Sequence, residues 1–118
     1  MPPAHPAPEQ FLPLTPATFH ILLTLVQEER HGYGIMQEIT QSTGGELRIG
    51  PGTLYGSLKR LVADGLVEEV GDRALEDPRR RYYRLTALGR SVARAEAQRM
   101  VSMVRTARSK KLIGPAGA

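Results

Sequence analysis

The 118-residue sequence has no cysteine, no tryptophan and only six aromatic residues, two Phe and four Tyr. Without cysteine there can be no disulfide framework, no thiolate metal site and no thiol nucleophile. No apolar run approaches the ~20 residues needed to span a bilayer. The opening Met1-Pro2-Pro3-Ala4-His5-Pro6-Ala7-Pro8 lacks the basic and apolar regions of a secretory signal. A cytoplasmic protein without a membrane partner is expected. His5, His20 and His31 stand apart from any carboxylate cluster at ligand spacing, and no glycine-rich phosphate loop follows a strand. No metal, cofactor or catalytic residue is therefore expected, and His20 reads as a helix residue touching the core.

What the chain does have is one domain's worth of residues and an uneven distribution of charge. The net charge is +4, but residues 1–83 carry 8 Lys/Arg against 11 Asp/Glu, whereas residues 84–118 carry 8 against 1. The basic excess thus lies at the C-terminal end. A mildly basic total suits nucleic acid without requiring it.

Proline, glycine and hydroxyl residues punctuate the rest. Residues 1–11 read as a Pro-rich disordered arm. Thr15-Pro16 is an N-cap followed by proline at the first helical position, where the missing N–H costs nothing. The first helix is predicted to run to about Glu29, with Phe19, Ile21, Leu22, Leu25 and Val26 on a broad apolar face. A second helix is predicted from about Tyr33 to Thr43, with Ile35, Met36 and Ile39 inside, and Leu47-Arg48-Ile49 has the alternation of a short strand. Gly50-Pro51 opens a third helix whose Leu54, Leu58, Leu61 and Val62 follow a 4-3 pattern. Leu66–Val70 and Arg81–Leu85 then form a β-hairpin with a long charged tip, Tyr82 and Tyr83 supplying β-propensity. Thr86 caps a final helix from about Ala87 to Ser109. This order predicts a mainly α fold with a small β-hairpin: a winged helix-turn-helix over 12–86, a C-terminal dimerisation helix over 87–111 and a flexible tail over 112–118.

With its leucines inward, the third helix turns Thr53, Gly56, Lys59, Arg60 and Ala63 outward at 100° per residue. Lys59 and Arg60 could reach phosphates or guanine edges, and Thr53 could bond either. Tyr55 lies at the boundary between faces. Gly56 costs up to ~1 kcal/mol relative to Ala in a helix interior, which close approach to a groove or another helix would explain. The alternative is an ordinary solvated face. Arg79, Arg80 and Arg81 sit together on the hairpin and could track the DNA backbone, but Asp72, Glu76 and Asp77 share the loop and could simply balance them.

Four segments, His31-Gly32-Tyr33-Gly34-Ile35, Gly52-Thr53-Leu54-Tyr55, Leu58-Lys59-Arg60-Leu61 with Gly65-Leu66-Val67, and Arg81 to Arg90 (RYYRLTALGR), resemble the PadR family of transcriptional regulators in order and spacing over about residues 12–92. The resemblance implies a winged-helix homodimer that usually represses nearby genes. It also implies that the third helix enters the major groove, with Thr53, Tyr55, Lys59 and Arg60 as contacts, and that Tyr33 lies near the phosphates unless it is a core residue. The sequence departs from the family pattern at Gly56, commonly Pro, and at Gly50, often Ser or Thr. Members can respond to phenolic acids or lipophilic drugs, some through a stacking Trp. With no Trp here, no large aromatic sandwich is expected, and the identity of any small-molecule effector stays open.

In the last helix, Ala93, Ala97, Met100, Val104 and Ala107 recur at 4-3-4-3 spacing, a heptad-like seam of mostly small residues. They are the expected dimer interface, helped by Phe11, Leu12 and the first helix, while Leu88 and Val92 would pack on the winged-helix body. The alternative is a helix packed only on its own domain. The expected function is a homodimeric, sequence-specific DNA-binding repressor of a pseudo-palindromic operator. Two rivals are a winged-helix protein–protein adaptor, favoured by the acidic balance of residues 1–83, and a sequence-independent DNA binder acting through basic residues 90–111.

Overall fold

Hydroxyls, prolines and one imidazole decide where the helices start. In the computed structural model, which describes residues 6–71 and 81–115, α1 spans Pro16–Thr24, and the Thr15 hydroxyl accepts from the Thr18 N–H. Helix α2, Gly32–Ser42, is capped by His31, whose Nδ1 accepts from the Gly34 N–H at 2.9 Å. Helix α3, Pro51–Ala63, begins on Gly50 and Pro51 with no side-chain cap. Helix α4, Ala87–Ser109, is capped by Thr86, which accepts from the Gly89 N–H at 3.0 Å.

Three strands form an antiparallel sheet in the order β1-β3-β2: β1 is Arg30–His31, β2 is Val67–Val70 and β3 is Tyr82–Leu85. His31 pairs with Tyr82, and Val67 pairs with Leu85. This is a mainly helical winged helix-turn-helix with one long C-terminal helix.

The core gathers Phe19, Ile21, Leu22 and Leu25 of the α1 region, Ile35 and Ile39 of α2, and Leu54, Leu58 and Leu61 of α3. Leu66, Val67, Tyr83, Val92 and Ala93 complete it. Each fully buried Leu or Ile contributes about 1.5–3 kcal/mol relative to exposure. Burial, with Glu69 beside it, pushes the Tyr83 phenol up from its ordinary value.

The end of α3 is fastened to the start of α4. Gly65 takes φ +78°, which a side chain would resist, and turns the chain from α3 into β2. The Leu66 carbonyl then accepts from the Thr86 N–H at 3.1 Å. Gly89 lies so close that a Cβ there would sit 2.0 Å from the Leu66 oxygen. Farther along, Glu96 is fully buried. Its Oε2 accepts from the Leu14 N–H at 2.6 Å and its Oε1 pairs with Arg99, so α4 holds the strap that leads into α1.

Several expectations are corrected. The first helix stops at Thr24 rather than near Glu29. The Thr24 hydroxyl donates back to Ile21 O, and the Arg30 Nε caps the Thr24 carbonyl at 2.8 Å while the chain turns into β1. The third strand is Arg30–His31, not Leu47–Ile49. The Thr43 hydroxyl bonds both the N–H and the carbonyl of Leu47, which keeps that segment against the end of α2 instead of in a ladder.

The N-terminal arm is ordered over its last residues. Pro8–Phe11 forms a 3-10 turn against α4, with Phe11 and Leu12 partly buried on the core; residues 1–5 of that arm lie outside the described residues. Ala93 is a core residue, 5% exposed, so its place in a dimer seam is withdrawn. Of the tail, Leu112 to Pro115 is described. The Leu112 N–H bonds Ala107 O, and Arg108 donates to Gly114 O.

The Arg99 hydrogen bond, aided by the Leu14 N–H, holds the Glu96 carboxyl below its ordinary value near 4.5 in spite of its burial. A depressed native value means that Glu96 stabilises the fold fully above the unfolded carboxylate range. That contribution is lost as pH falls through the native value. Thermal melts between neutral and acid pH should therefore show Glu96→Gln destabilised at neutral pH by about 1–3 kcal/mol. They should also show the variant losing less further stability than the parent on acidification. Parallel acid profiles would contradict this role.

Candidate nucleic-acid interface

Burying Leu54, Leu58 and Leu61 leaves α3 no choice about what faces solvent. Thr53, Gly56, Lys59, Arg60 and Ala63 are all exposed, as expected, and Gly52 joins them one turn before Gly56. A Cβ added at Gly52 or Gly56 would meet nothing within 4 Å. Among the described residues neither glycine is needed for internal packing, so the bare backbone at Gly56 serves no contact there.

The acidic balance of the N-terminal part does not reach this ridge. Arg30 pairs with Glu28 at 3.0 Å and with Glu38 at 3.9 Å, Arg81 pairs with Glu69 at 3.5 Å, and Arg84 pairs with Glu68 at 2.5 Å. The Glu68 partnership raises the Arg84 guanidinium above its ordinary value. Among the described residues, Lys59 and Arg60 enter no such pair, so two cations stand on an otherwise small surface, with the exposed Asp64 at the helix end one turn beyond Arg60. The exposed Arg84–Glu68 pair contributes little to stability. The effect of these pairs is to neutralise acids near the sheet.

Tyr33 and Tyr55 separate in role. Tyr33, at the start of α2, is 58% exposed, so it is not a core tyrosine. Its ring stacks on His31 at 6.4 Å, and His31 meets Tyr82 of β3 edge-on at 5.5 Å. Tyr55 is partly buried and packs against the core. A Cβ on Gly32 would lie 2.5 Å from its hydroxyl. Tyr55 thus spaces α3 from the start of α2, which adds a structural role to its position beside the ridge.

On the wing, Arg81 is held by Glu69, while Arg79 and Arg80 lie outside the described residues. His31 is the site residue that sequence reasoning passed over. It joins the α2 cap, the sheet and two tyrosines, and its signal was hidden because imidazole is not among the usual N-cap side chains.

Along α4, Val92 and Ala93 are in the core and Leu88 and Met100 pack partly against it. Beyond Met100 the helix runs past the domain. Val101, Met103 and Val104 are 50%, 51% and 37% exposed, Ala97 is exposed and Ala107 partly buried. Among the described residues no helix is long and apolar enough to cross a membrane, and no three His, Asp or Glu side chains gather as metal ligands.

The profile of the transcriptional regulator PadR-like family matches residues 21–95. The transcriptional regulator Rv3488 of Mycobacterium tuberculosis is 37% identical over 87 residues, covering 73% of this chain and 77% of that protein. An uncharacterised protein of Lysinibacillus sphaericus is 34% identical over 71 residues, and the match spans 60% of this chain and 65% of that protein, just under two thirds of its length. Among solved structures, H. salinarum RosR superposes with a TM-score of 0.65 at 28% identity, covering 86% of this chain and 92% of the other. Bacillus subtilis PadR, solved in complex with operator DNA, superposes with a TM-score of 0.58 over 75% of this chain and 49% of the other. Its 20% identity makes that a likeness of fold.

The two glycines near Tyr55 should respond oppositely to alanine. Gly56→Ala meets no neighbour and should stabilise the free protein by about 0.5–1 kcal/mol. Gly32→Ala must displace the Tyr55 ring and should destabilise it by about 1–3 kcal/mol. Denaturant unfolding of the two variants checks both signs.

Proposed function

Since this chain belongs to the PadR-like family of transcriptional regulators, we propose that it is a homodimeric repressor that reads a pseudo-palindromic operator with α3 of each protomer in the major groove. One observation carries the reading. The inner ridge of α3 is wholly committed to the core, and its outer ridge offers Lys59 and Arg60 outside any ion pair among the described residues. Thr53 supplies a short hydroxyl beside them. Gly56, bare and without internal neighbours, lets the helix backbone approach the groove floor. Tyr33, exposed at the start of α2, extends the surface toward a phosphate, where a helix N-terminus also favours an anion. Arg81, with its sequence neighbours Arg79 and Arg80, would add backbone contacts.

The dimer is supported by the part of α4 that leaves its own domain. Met100, Val104 and Ala107 of the seam, flanked by Val101 and Met103, form an apolar surface too long for the domain beneath it. Ala97 precedes them on the exposed side, and Phe11 and Leu12 lie on α4's N-terminal neighbour. A second α4 packed two-fold against this surface would cover it and duplicate α3, so that two half-sites are read at once.

Lys59→Ala and Arg60→Ala should each weaken binding to DNA upstream of the protein's own gene by about 1–3 kcal/mol, and loss of a phosphate contact should lower the salt slope by about one. Unchanged affinity with an intact fold would remove α3 from the interface. Affinity that does not fall as salt rises would favour a protein–protein adaptor instead. Val104→Glu should convert the protein to monomer in sedimentation and cost about a hundredfold or more in operator affinity through loss of bivalency. A dimer that survives this change would place the interface elsewhere.

A further inference from the structure

A cavity of about 160 Å³ lies between the strap before α1 and the flank of α3. Phe11, Pro13 and Leu61 give it an apolar side, and Ser57, Arg60 and Asp64 give it a polar one. Arg60 and Asp64 are one helical turn apart, about 6 Å along the axis. Among the described residues neither enters an ion pair. The cavity therefore presents a cation and an anion one helical turn apart, beside a hydrocarbon wall.

Asp64 is also the C-cap of α3, where the helix carbonyls already concentrate negative charge. A carboxylate is disfavoured there unless a cation comes to it. Arg60, in the last turn, is favourably placed and can turn its fork to a second carboxylate. The volume is below the ~300–1,000 Å³ typical of sites for drug-sized molecules, so the ligand it suits is small.

We propose that this cavity binds a small zwitterion, an α-amino acid with an apolar side chain. Its carboxylate is taken by Arg60, its ammonium by Asp64, and its alkyl group lies against Phe11, Pro13 and Leu61. Such a ligand would bridge α3 to the strap, and the strap is bonded to α4 through the Leu14 N–H and Glu96. It would also occupy Arg60, a member of the DNA-facing ridge, so binding of the amino acid would weaken binding of DNA. This regulatory half rests on the reading of α3 as the DNA-contacting helix; the binding half does not.

The test uses the full nitrogen-labelled chain titrated with L-leucine, with isocaproate and isoamylamine as probes of one charge each. Leucine should shift the amides of Phe11, Ser57 and Asp64 saturably, and each single-charge probe should bind about tenfold more weakly or worse. Asp64→Asn, at an exposed position, removes an anion from a helix C-terminus; it should melt no lower than the parent and bind isocaproate at least as well, while losing about tenfold in leucine affinity. No saturable shift, or equal binding of all three probes, would overturn the site. In a DNA-shift assay, saturating leucine should lower the parent's affinity and leave that of Asp64→Asn unmoved. If leucine binds and the parent's DNA affinity does not change, the regulatory half is overturned. A parent that binds no DNA would sink that half along with the α3 reading, while the amino-acid site would still stand or fall on the spectra.

Discussion

The inner ridge of α3 is the constraint on which the rest of the molecule depends. Leu54, Leu58 and Leu61 are almost completely enclosed by α1, α2 and the sheet. Rotating the helix by even one residue would expose one of them and bury Lys59 or Arg60 without a partner, at a cost of several kcal/mol. The packing therefore fixes which residues face outward as firmly as it fixes the core. Tyr55 on Gly32 sets the spacing to α2, and the Leu66 carbonyl under Gly89 sets the joint to α4. A small domain with few aromatics thus holds one helix in a defined orientation through three distinct contacts.

Charge is divided along the chain in a way the total conceals. Four of the acids before residue 84, Glu28, Glu38, Glu68 and Glu69, are paired near the sheet by Arg30, Arg81 and Arg84, and none of these pairs involves Lys59 or Arg60 on the ridge of α3. Non-specific attraction to DNA from this half is consequently modest, and under the proposed function recognition falls to a few placed groups. The basic α4 is divided too. Its first half is tied into the domain by Val92, Ala93 and Glu96, and its second half carries the unmatched apolar surface.

Much of this was legible before any coordinates. Thr15-Pro16, Gly50-Pro51 and Thr86 each mark a helix start, and the 4-3 leucine pattern assigned both faces of α3, because caps and periodicity act over a few residues. What the sequence hid was long-range. That Arg30–His31 would be the third strand depends on a partner some fifty residues away. That Ala93 would be core depends on how deep α4 sits, since small residues at seam spacing serve an intramolecular contact as well as an intermolecular one. Nothing local marks Glu96, the single acid after residue 84, as buried, because its partners Leu14 and Arg99 meet it only once α4 packs on the strap before α1. Tyr55 belonged to the recognition motif, and only the three-dimensional contact with Gly32 revealed its second role.

The central claim is that two copies of α3 enter adjacent major grooves of one operator. The most direct measurement is a hydroxyl-radical footprint, with guanine-methylation interference, on DNA upstream of the protein's own gene. The account predicts two protected patches about one helical turn apart, ~34–36 Å, each centred on methylation-sensitive major-groove positions. A single patch, or protection indifferent to major-groove methylation, would contradict it.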